Sequence, residues 1–457
     1  MKRLFGTDGI RAKYGEFPLT KDFVKKIGFS IGKILCSNKK NPIVYIAKDT
    51  RYSGDDLESC LTSGLGSFPI KVKCLGIIPT AALSYLTSKD GADLGIMISA
   101  SHNLSEDNGI KLFAADGFKL ADDKEREIEN ITLKLRDNPD SKEGQRSPEF
   151  LVQDDKGESL RDYIEFAKKT LLHTDLEGLR IVVDCSHGAV SDIADVIFSE
   201  LKAEVYAINN EPDGLNINLN CGSQHPHMTS EVVKQYKADV GFSYDGDGDR
   251  VILVDEKANI LDGDYIMSML GLHLSKTNNL NQNTVVATVM SNMGLEEVME
   301  ANRIKVVRTE VGDKKVVERM INNGYNFGGE QSGHIVYLNN NPTGDGILTS
   351  LMILKMMKDT NKKLSELANI YHKYPQILLN VRVKEKKDLK EIDGLYSRLE
   401  EFEKELSTSG RIFLRYSGTE PLARVMIEGK SKEQIEVMAT ELASIIRNSI
   451  GDDKCQG

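Results

Sequence analysis

The chain has 457 residues, too many for one compact core, and its 59 basic against 69 acidic side chains leave a formal charge of −10. That balance excludes a broad nucleic-acid-binding surface, which needs an excess of Lys and Arg. At 40% hydrophobic and 28% charged residues the composition is that of a globular protein, and with neither a signal-peptide core nor an apolar run of roughly 18 residues, a cytoplasmic protein without a membrane partner is expected.

Strand-like runs alternate with helical patterns from the start: a strand at Pro42–Ala47, a helix over Asp55–Leu65, then strands at Ile70–Leu75 and Leu94–Ile98. This is the rhythm of an α/β sheet. Polar Arg136–Gly157, with its Asn-Pro and Ser-Pro pairs, reads as a linker, so a second domain should begin near Glu158. Leu179–Asp184 opens that domain and Ala238–Tyr244 closes it. A third runs from about Val251 through strands Thr284–Thr288 and Ile304–Arg308 to a helix at Ile347–Met357. Strand Leu378–Val383, a helix near Leu389–Leu406, two strands flanking Ser417–Pro421 and a helix at Lys432–Arg447 form a small α+β domain. The expected domains are 1–150, 151–250, 251–370 and 371–457. Ala92-Asp93-Leu94-Gly95 and Ala238-Asp239-Val240-Gly241 each lead an apolar strand into a polar loop, an echo that hints at related domains. The six cysteines are scattered without a CxxC pair and are expected as reduced thiols.

Four loops carry chemistry. In Asp245-Gly246-Asp247-Gly248-Asp249-Arg250, glycines between the carboxylates remove bulk and permit positive φ, so Asp245, Asp247 and Asp249 can converge. Crowded carboxylates repel unless a cation holds them, and an all-oxygen set selects Mg²⁺ or another hard ion. An EF-hand is excluded because it also needs a Glu at position twelve and helices on both sides; a solvated acidic turn is the plainer alternative. Ser101, with His102 and Asn103 behind it, ends the strand Leu94–Ile98, a place suited to phosphoryl or acyl transfer. No GxSxG elbow surrounds it, which argues against a serine hydrolase; alone, the Ser-His pair could be ordinary loop chemistry. Glu330, Ser332 and His334 share one glycine-flanked turn, a cluster that suits sugar hydroxyls or merely a structural turn. Arg415, Ser417, Gly418, Thr419 and Arg424 have the makings of a phosphate cradle, guanidinium forks plus loop N–H donors, without the Gly-Lys-Ser/Thr ending of a P-loop. A surface turn with incidental arginines is the alternative there.

In this order the four loops resemble the α-D-phosphohexomutase superfamily, and the resemblance spans nearly the whole chain. Phe5-Gly6-Thr7-Asp8-Gly9-Ile10-Arg11, Asp49-Thr50-Arg51, Leu215-Asn216-Ile217-Asn218, Cys221-Gly222, Val311-Gly312-Asp313 and Thr343-Gly344-Asp345-Gly346 extend it. It implies an α/β protein of four domains, three related α/β sheet domains and a C-terminal α+β domain, around a central cleft. It further implies that Ser101 carries a phosphoryl group and that Asp245, Asp247 and Asp249 bind Mg²⁺ with a phosphoserine oxygen. Arg250, Glu330, Ser332 and His334 would hold the sugar, and Arg415, Ser417, Gly418, Thr419 and Arg424 the non-reacting phosphate. Lys111 would lie beside the reacting oxygens, with His102 and Arg11 sharing charge stabilisation or proton relay; without the resemblance Lys111 reads as a solvated lysine at the start of a strand. Gly-Glu-Gln-Ser-Gly-His at Gly329–His334 and Ser-Gly-Thr-Glu-Pro at Ser417–Pro421 point to the branch that interconverts glucosamine 6-phosphate and glucosamine 1-phosphate through a bound 1,6-bisphosphate. That branch feeds amino-sugar nucleotide and cell-wall precursor synthesis. Action on mannose or glucose phosphates, a phosphatase, and a non-catalytic sugar-phosphate binder are the alternatives. Leu104 and Ala47 depart from the family wording, at positions where proline and glycine are usual.

Overall fold

The computed structural model describes residues 3–137, 146–155, 157–172, 174–417 and 421–452. It divides into two compact units, Met1–Ser291 with Met299–Ile370, and Asn292–Val298 with Tyr371–Gly457.

The first unit contains three sheets. Strands β1 (Ile10–Lys13), β2 (Ile43–Lys48), β3 (Lys71–Ile77), β4 (Leu94–Ile98), β5 (Asp107–Ala114) and β6 (Leu151–Asp154) form the first. The second holds β7 (Arg180–Asp184), β8 (Glu204–Ile208), β9 (Val240–Tyr244), β10 (Val251–Asp255) and β11 (Ile260–Leu261). The third holds β12 (Thr284–Thr288), β13 (Lys305–Thr309), β14 (Phe327–Gly329) and β15 (Ile335–Tyr337). Strands β4, β9 and β12 are buried along their whole length, as expected of sheet centres covered on both faces, and their residues accordingly run apolar rather than alternating.

All three sheets share one four-strand order: β3-β2-β4-β5, β8-β7-β9-β10 and β13-β12-β14-β15. Within each, the first two neighbouring pairs are parallel and the last is antiparallel. The sequence echo is the visible part of this repeat. Asp93, just before β4, accepts the Ile43 N–H at 2.8 Å, and Asp239, just before β9, accepts the Arg180 N–H at 2.8 Å. Asn326, just before β14, accepts the Asn281 N–H at 2.8 Å. The two aspartates thus satisfy the first backbone donor of the neighbouring parallel strand, and the asparagine one in the 3₁₀ turn that leads into it. The third copy uses an amide, which is why no Ala-Asp pattern announces it.

Two expected elements differ. Residues 151–154 are not linker but β6, parallel to β3 at the sheet edge. All four are exposed, so no apolar alternation marks the strand; Phe150, buried before it, anchors it. The helix expected over Leu389–Leu406 is broken: a single 3₁₀ turn at Leu389–Glu391 precedes the α-helix Leu395–Leu406, which starts after Gly394 at φ +74°.

The second unit is a three-stranded antiparallel sheet in the order β16 (Gln376–Arg382), β18 (Leu422–Gly429), β17 (Gly410–Tyr416). Helices Leu395–Leu406 and Lys432–Ile450 pack on it around Val381, Val425, Ile427, Leu399, Leu442 and Ile446. The cysteines at 36, 60, 74, 185 and 221 are free thiols; Cys455 lies outside the described residues. Among the described residues no helix is long and apolar enough to cross a membrane.

Candidate active site

The repeat determines where the site lies. In each sheet of the first unit, the connection out of the strand that follows the acid or amide carries one functional loop: Ser101 after β4, the three aspartates after β9, Glu330–His334 after β14.

Ser101 is buried, with φ +54°, a left-handed conformation uncommon for a residue bearing Cβ. Its hydroxyl donates to Asp245 Oδ2 at 2.6 Å and lies 3.2 Å from His102 Nδ1, while Ser99 Oγ accepts its N–H at 2.8 Å. Two residues left without a role in the sequence reading hold this shape. The buried Arg51 guanidinium donates to the carbonyls of Ser101 (3.1 Å), Asn103 (2.7 Å), Asp107 (2.9 Å) and Leu104, and pairs with Asp49 at 2.9 Å. Asn218, from the second domain, donates to the same Ser101 and Asn103 carbonyls at 2.9 Å each. The Leu104 side chain is exposed and its carbonyl is held, so replacing the usual proline leaves the loop's anchors in place.

The aspartates lie where two antiparallel strands, β9 and β10, turn. Gly246 is required by proximity: a Cβ there would sit 2.6 Å from the Ser101 carbonyl oxygen. Gly248 supplies φ +70°. One ligand oxygen from each of Asp245, Asp247 and Asp249 falls within 4.8 Å of the others. Asp245 Oδ1 takes the Arg250 N–H at 3.0 Å, and Thr80 Oγ1 donates to Asp247 Oδ2 at 2.6 Å. Burial, then Asp249 and Asp247, drive the Asp245 carboxyl well above the usual carboxylate range. Burial opposes the charge of Asp249 too, but Lys111 and His334 outweigh it and hold that carboxyl well below the usual range.

Lys111 is 1% exposed, in the middle of β5. That overturns the reading of a solvated lysine: Nζ lies 2.8 Å from Asp247, 3.3 Å from Asp249 and 3.2 Å from Asp8. Burial works against its charge, but Asp247, Asp8 and Asp249 prevail and keep it an ammonium. Asp8 in turn pairs with Arg11 and with Lys119, and Lys119 also pairs with Asp313. His334, buried, has Nδ1 3.5 Å from Asp249 and Nε2 3.5 Å from Asp313. Burial disfavours its cation, yet the two carboxylates bring its pKa up to about 8. His102 goes the other way, to about 3, through burial and the charges of Arg250 and Arg11. Glu330 accepts the Gly312 N–H at 3.1 Å.

In the first unit, five buried polar atoms of the predicted set have no hydrogen-bond partner: Asp247 Oδ1, Asp249 Oδ1, Arg11 Nε, Arg250 Nε and Ser332 Oγ. Buried polar groups are rarely left so. Two anionic oxygens beside a serine held by the third carboxylate suit a hard divalent cation, and the uncommitted N–H and O–H groups suit a phosphorylated polyol. In the second unit, Arg415 on β17 and Arg424 on β18 are register partners. Burial and the Arg424 charge push Arg415 down, a repulsion that an anion would relieve. Buried Ser417 follows β17, its N–H bonded to Leu422 O at 2.8 Å and its carbonyl accepting from Lys386 at 2.5 Å. Gly418 and Thr419 lie outside the described residues.

The sequence matches, in turn, phosphoglucomutase/phosphomannomutase alpha/beta/alpha domain I over residues 2–138, domain II over 161–259, domain III over 262–374 and the C-terminal domain over 378–445. The chain belongs to this family. A phosphoglucosamine mutase of Citrifermentans bemidjiense is 44% identical over 99% of both chains. Among solved structures, a phosphoglucomutase/phosphomannomutase family protein of Burkholderia thailandensis has a TM-score of 0.79 at 20% identity, covering 98% of this chain and 97% of that one. The N-acetylphosphoglucosamine mutase of Aspergillus fumigatus, in complex with GlcNAc-6P and magnesium, has a TM-score of 0.66 at 18% identity, covering 98% and 96%. At such identities these two likenesses show the fold alone. The family's four-domain plan is the architecture the sequence implied.

Proposed function

We propose that the chain interconverts glucosamine 6-phosphate and glucosamine 1-phosphate, with Ser101 as phosphoryl carrier and glucosamine 1,6-bisphosphate as bound intermediate, and that it acts in the cytosol to supply amino-sugar nucleotide synthesis. The observation that carries this reading is the buried Ser101 hydroxyl, donating to Asp245 at 2.6 Å, beside two carboxylate oxygens, Asp247 Oδ1 and Asp249 Oδ1, that accept no hydrogen bond. The full-length likeness to phosphoglucosamine mutases supports the choice of sugar over mannose or glucose.

Phosphoryl transfer requires alignment and charge neutralisation more than covalent help. Mg²⁺, held by Asp245, Asp247, Asp249 and a phosphoserine oxygen, would supply neutralisation of the phosphoryl charge. The chain's own residues do the rest. In the first transfer the bond from phosphorus to Ser101 Oγ breaks, the bond to the sugar O1 forms, and the O1 proton ends on Oγ. In the second, the bond to O6 breaks, Ser101 is phosphorylated again, and the serine proton ends on O6. Lys111, an ammonium amid three carboxylates, stabilises charge and is poorly suited to act as base. His102, its Nδ1 3.2 Å from Oγ and its basicity lowered to a pKa of about 3, orients the hydroxyl rather than storing the proton. Arg11 and Arg250 offer donors to phosphoryl oxygens; Glu330, Ser332 and His334 hold sugar hydroxyls. Arg415, Ser417, Gly418, Thr419 and Arg424 grip whichever phosphate is not reacting.

The test is turnover of glucosamine 6-phosphate by the wild type and by Ser101→Ala, with glucose and mannose phosphates alongside. The variant is expected to lose sugar 1-phosphate formation while still binding the sugar phosphate. Retained turnover in Ser101→Ala would refute the carrier role, and faster turnover of a neutral sugar phosphate would refute the sugar assignment.

A further inference from the structure

One buried cation near the site has no role in the steps above. Lys119, 12% exposed at its side chain, pairs with Asp8 from the first domain and with Asp313, the first residue of the third-domain helix Asp313–Asn323. Neither carboxylate is idle. Asp8 also lies 3.2 Å from Lys111 Nζ and pairs with Arg11. Asp313 also lies 3.5 Å from His334 Nε2. Lys119 therefore sits between two anions, each of which contacts one group of the reacting centre, and it reaches no reacting atom itself.

We infer that Lys119 is a positioning residue: by neutralising Asp8 and Asp313 together it keeps Lys111 on Asp247 and Asp249, and His334 on Asp249. The argument is a competition among like contacts. Lys111 Nζ is nearly as close to Asp8 (3.2 Å) as to Asp249 (3.3 Å). With Lys119 removed, Asp8 keeps only Arg11 and Lys111 as cations and draws Lys111 away from the aspartate loop. The other end behaves alike: His334 is 3.5 Å from both Asp249 and Asp313, so an Asp313 without Lys119 pulls the imidazole from the aspartate loop towards the third-domain helix. In a buried site such pairs are weakly screened, and loss of a partner leaves a bare charge. One substitution thus displaces both Lys111 and His334 at once.

This inference rests on the mutase reading for its kinetic readout and on coordinates for an independent one. Lys119→Met keeps the side-chain length and removes the charge; it is expected to lower kcat about 10–100-fold, the range seen when outer partners of a reacting group are lost, with KM changed less than about threefold. Lys119→Arg, which restores the cation, is expected to recover most of kcat; a role in packing alone would not be rescued by a bulkier guanidinium. Should Lys119→Met not fold, Lys119→Gln removes the same charge with a polar side chain and is expected to lower kcat about tenfold. A kcat within threefold of wild type in whichever of the two charge-removing variants folds would overturn the inference. If the wild type turns over no glucosamine phosphate, the mutase reading fails and the crystal structure of the folded variant decides this one. Lys111 Nζ displaced from Asp247 towards Asp8, or His334 displaced from Asp249, supports it; both groups at their wild-type distances overturn it.

Discussion

Arg51 and Asn218 make one prediction that can be worked through from distances. Both donate to the carbonyls of Ser101 and Asn103, Arg51 from within the first domain and Asn218 from the second. Arg51→Lys keeps a cation for the buried Asp49, so no bare charge is left, but a single ammonium cannot reach four carbonyls. Two of them, Ser101 O and Asn103 O, still have Asn218. Those of Leu104 and Asp107 lose the guanidinium, and Leu104 O retains only the Asp107 N–H at 3.2 Å. At about 1–2 kcal/mol for each of these two part-buried acceptors left short, Arg51→Lys should cost roughly 2–4 kcal/mol, and much of this should appear in kcat, because what relaxes is the loop that carries the left-handed Ser101. Asn218→Ala alone should cost about 1 kcal/mol, since Arg51 covers the same two acceptors. Together they should cost more than the sum by about 2 kcal/mol, roughly a 30-fold extra fall in kcat, because two acceptors then have neither donor. The assay is kcat at saturating sugar phosphate for wild type, both single variants and the double variant, each with its serine fully phosphorylated. Additivity within about 0.5 kcal/mol would mean that the two side chains do not share the task of holding the serine loop.

Two further expectations use other observations. Asp345 is buried, bonded to Tyr163 OH at 2.9 Å, Asn341 Nδ2 at 3.1 Å and the Leu348 N–H at 2.9 Å, and burial lifts its pKa to about 6 from an ordinary 3.8. The folded chain therefore keeps this proton at pH values where the unfolded chain has lost it, so the group's contribution to stability is full below about pH 4 and falls as pH rises to about 6, by roughly 3 kcal/mol in all. The stability difference between wild type and Asp345→Asn, from thermal unfolding between pH 4 and 7, should shrink over that window; a constant difference would refute the assignment. The aspartate loop predicts that Mg²⁺ raises the unfolding temperature of the wild type, by the equivalent of about 2.7 kcal/mol at a hundredfold excess over Kd. Asp247→Asn should lose most of that gain, and an equal shift in both proteins would argue against this loop as the metal site.

What the sequence revealed and what it hid follow from range. The central strands were legible because burial on both faces leaves unbroken apolar runs, and Leu94–Ile98 and Thr284–Thr288 stand where the pattern placed them. The Ser101 and Asp245–Arg250 loops were legible because their chemistry is written in consecutive residues. β6 was hidden because all four of its residues are exposed and the run around it is charged. Arg51, Asn218, Asp8 and Lys119 were hidden for another reason: apart from the local pairs Arg51–Asp49 and Asp8–Arg11, their partners are 50 or more residues away, and nothing in Asp-Thr-Arg or Asn-Ile-Asn says which carbonyls they will meet. Lys111 shows the same limit. A lysine amid Gly-Ile-Lys-Leu-Phe reads as a solvent-facing position until three acids from two other loops close over it.

The common strand order of the three sheets has a consequence for how substrate preference can change. The proposed phosphoryl carrier, cation ligands and sugar contacts occupy the same station on three copies of one scaffold, and each station is a short connection whose neighbours in sequence are rigid strands. Replacing Gln331 and Ser332 after β14, with His334 kept against Asp249, would therefore change the proposed sugar contacts while leaving the loops after β4 and β9 untouched, much as tools are exchanged on a fixed handle.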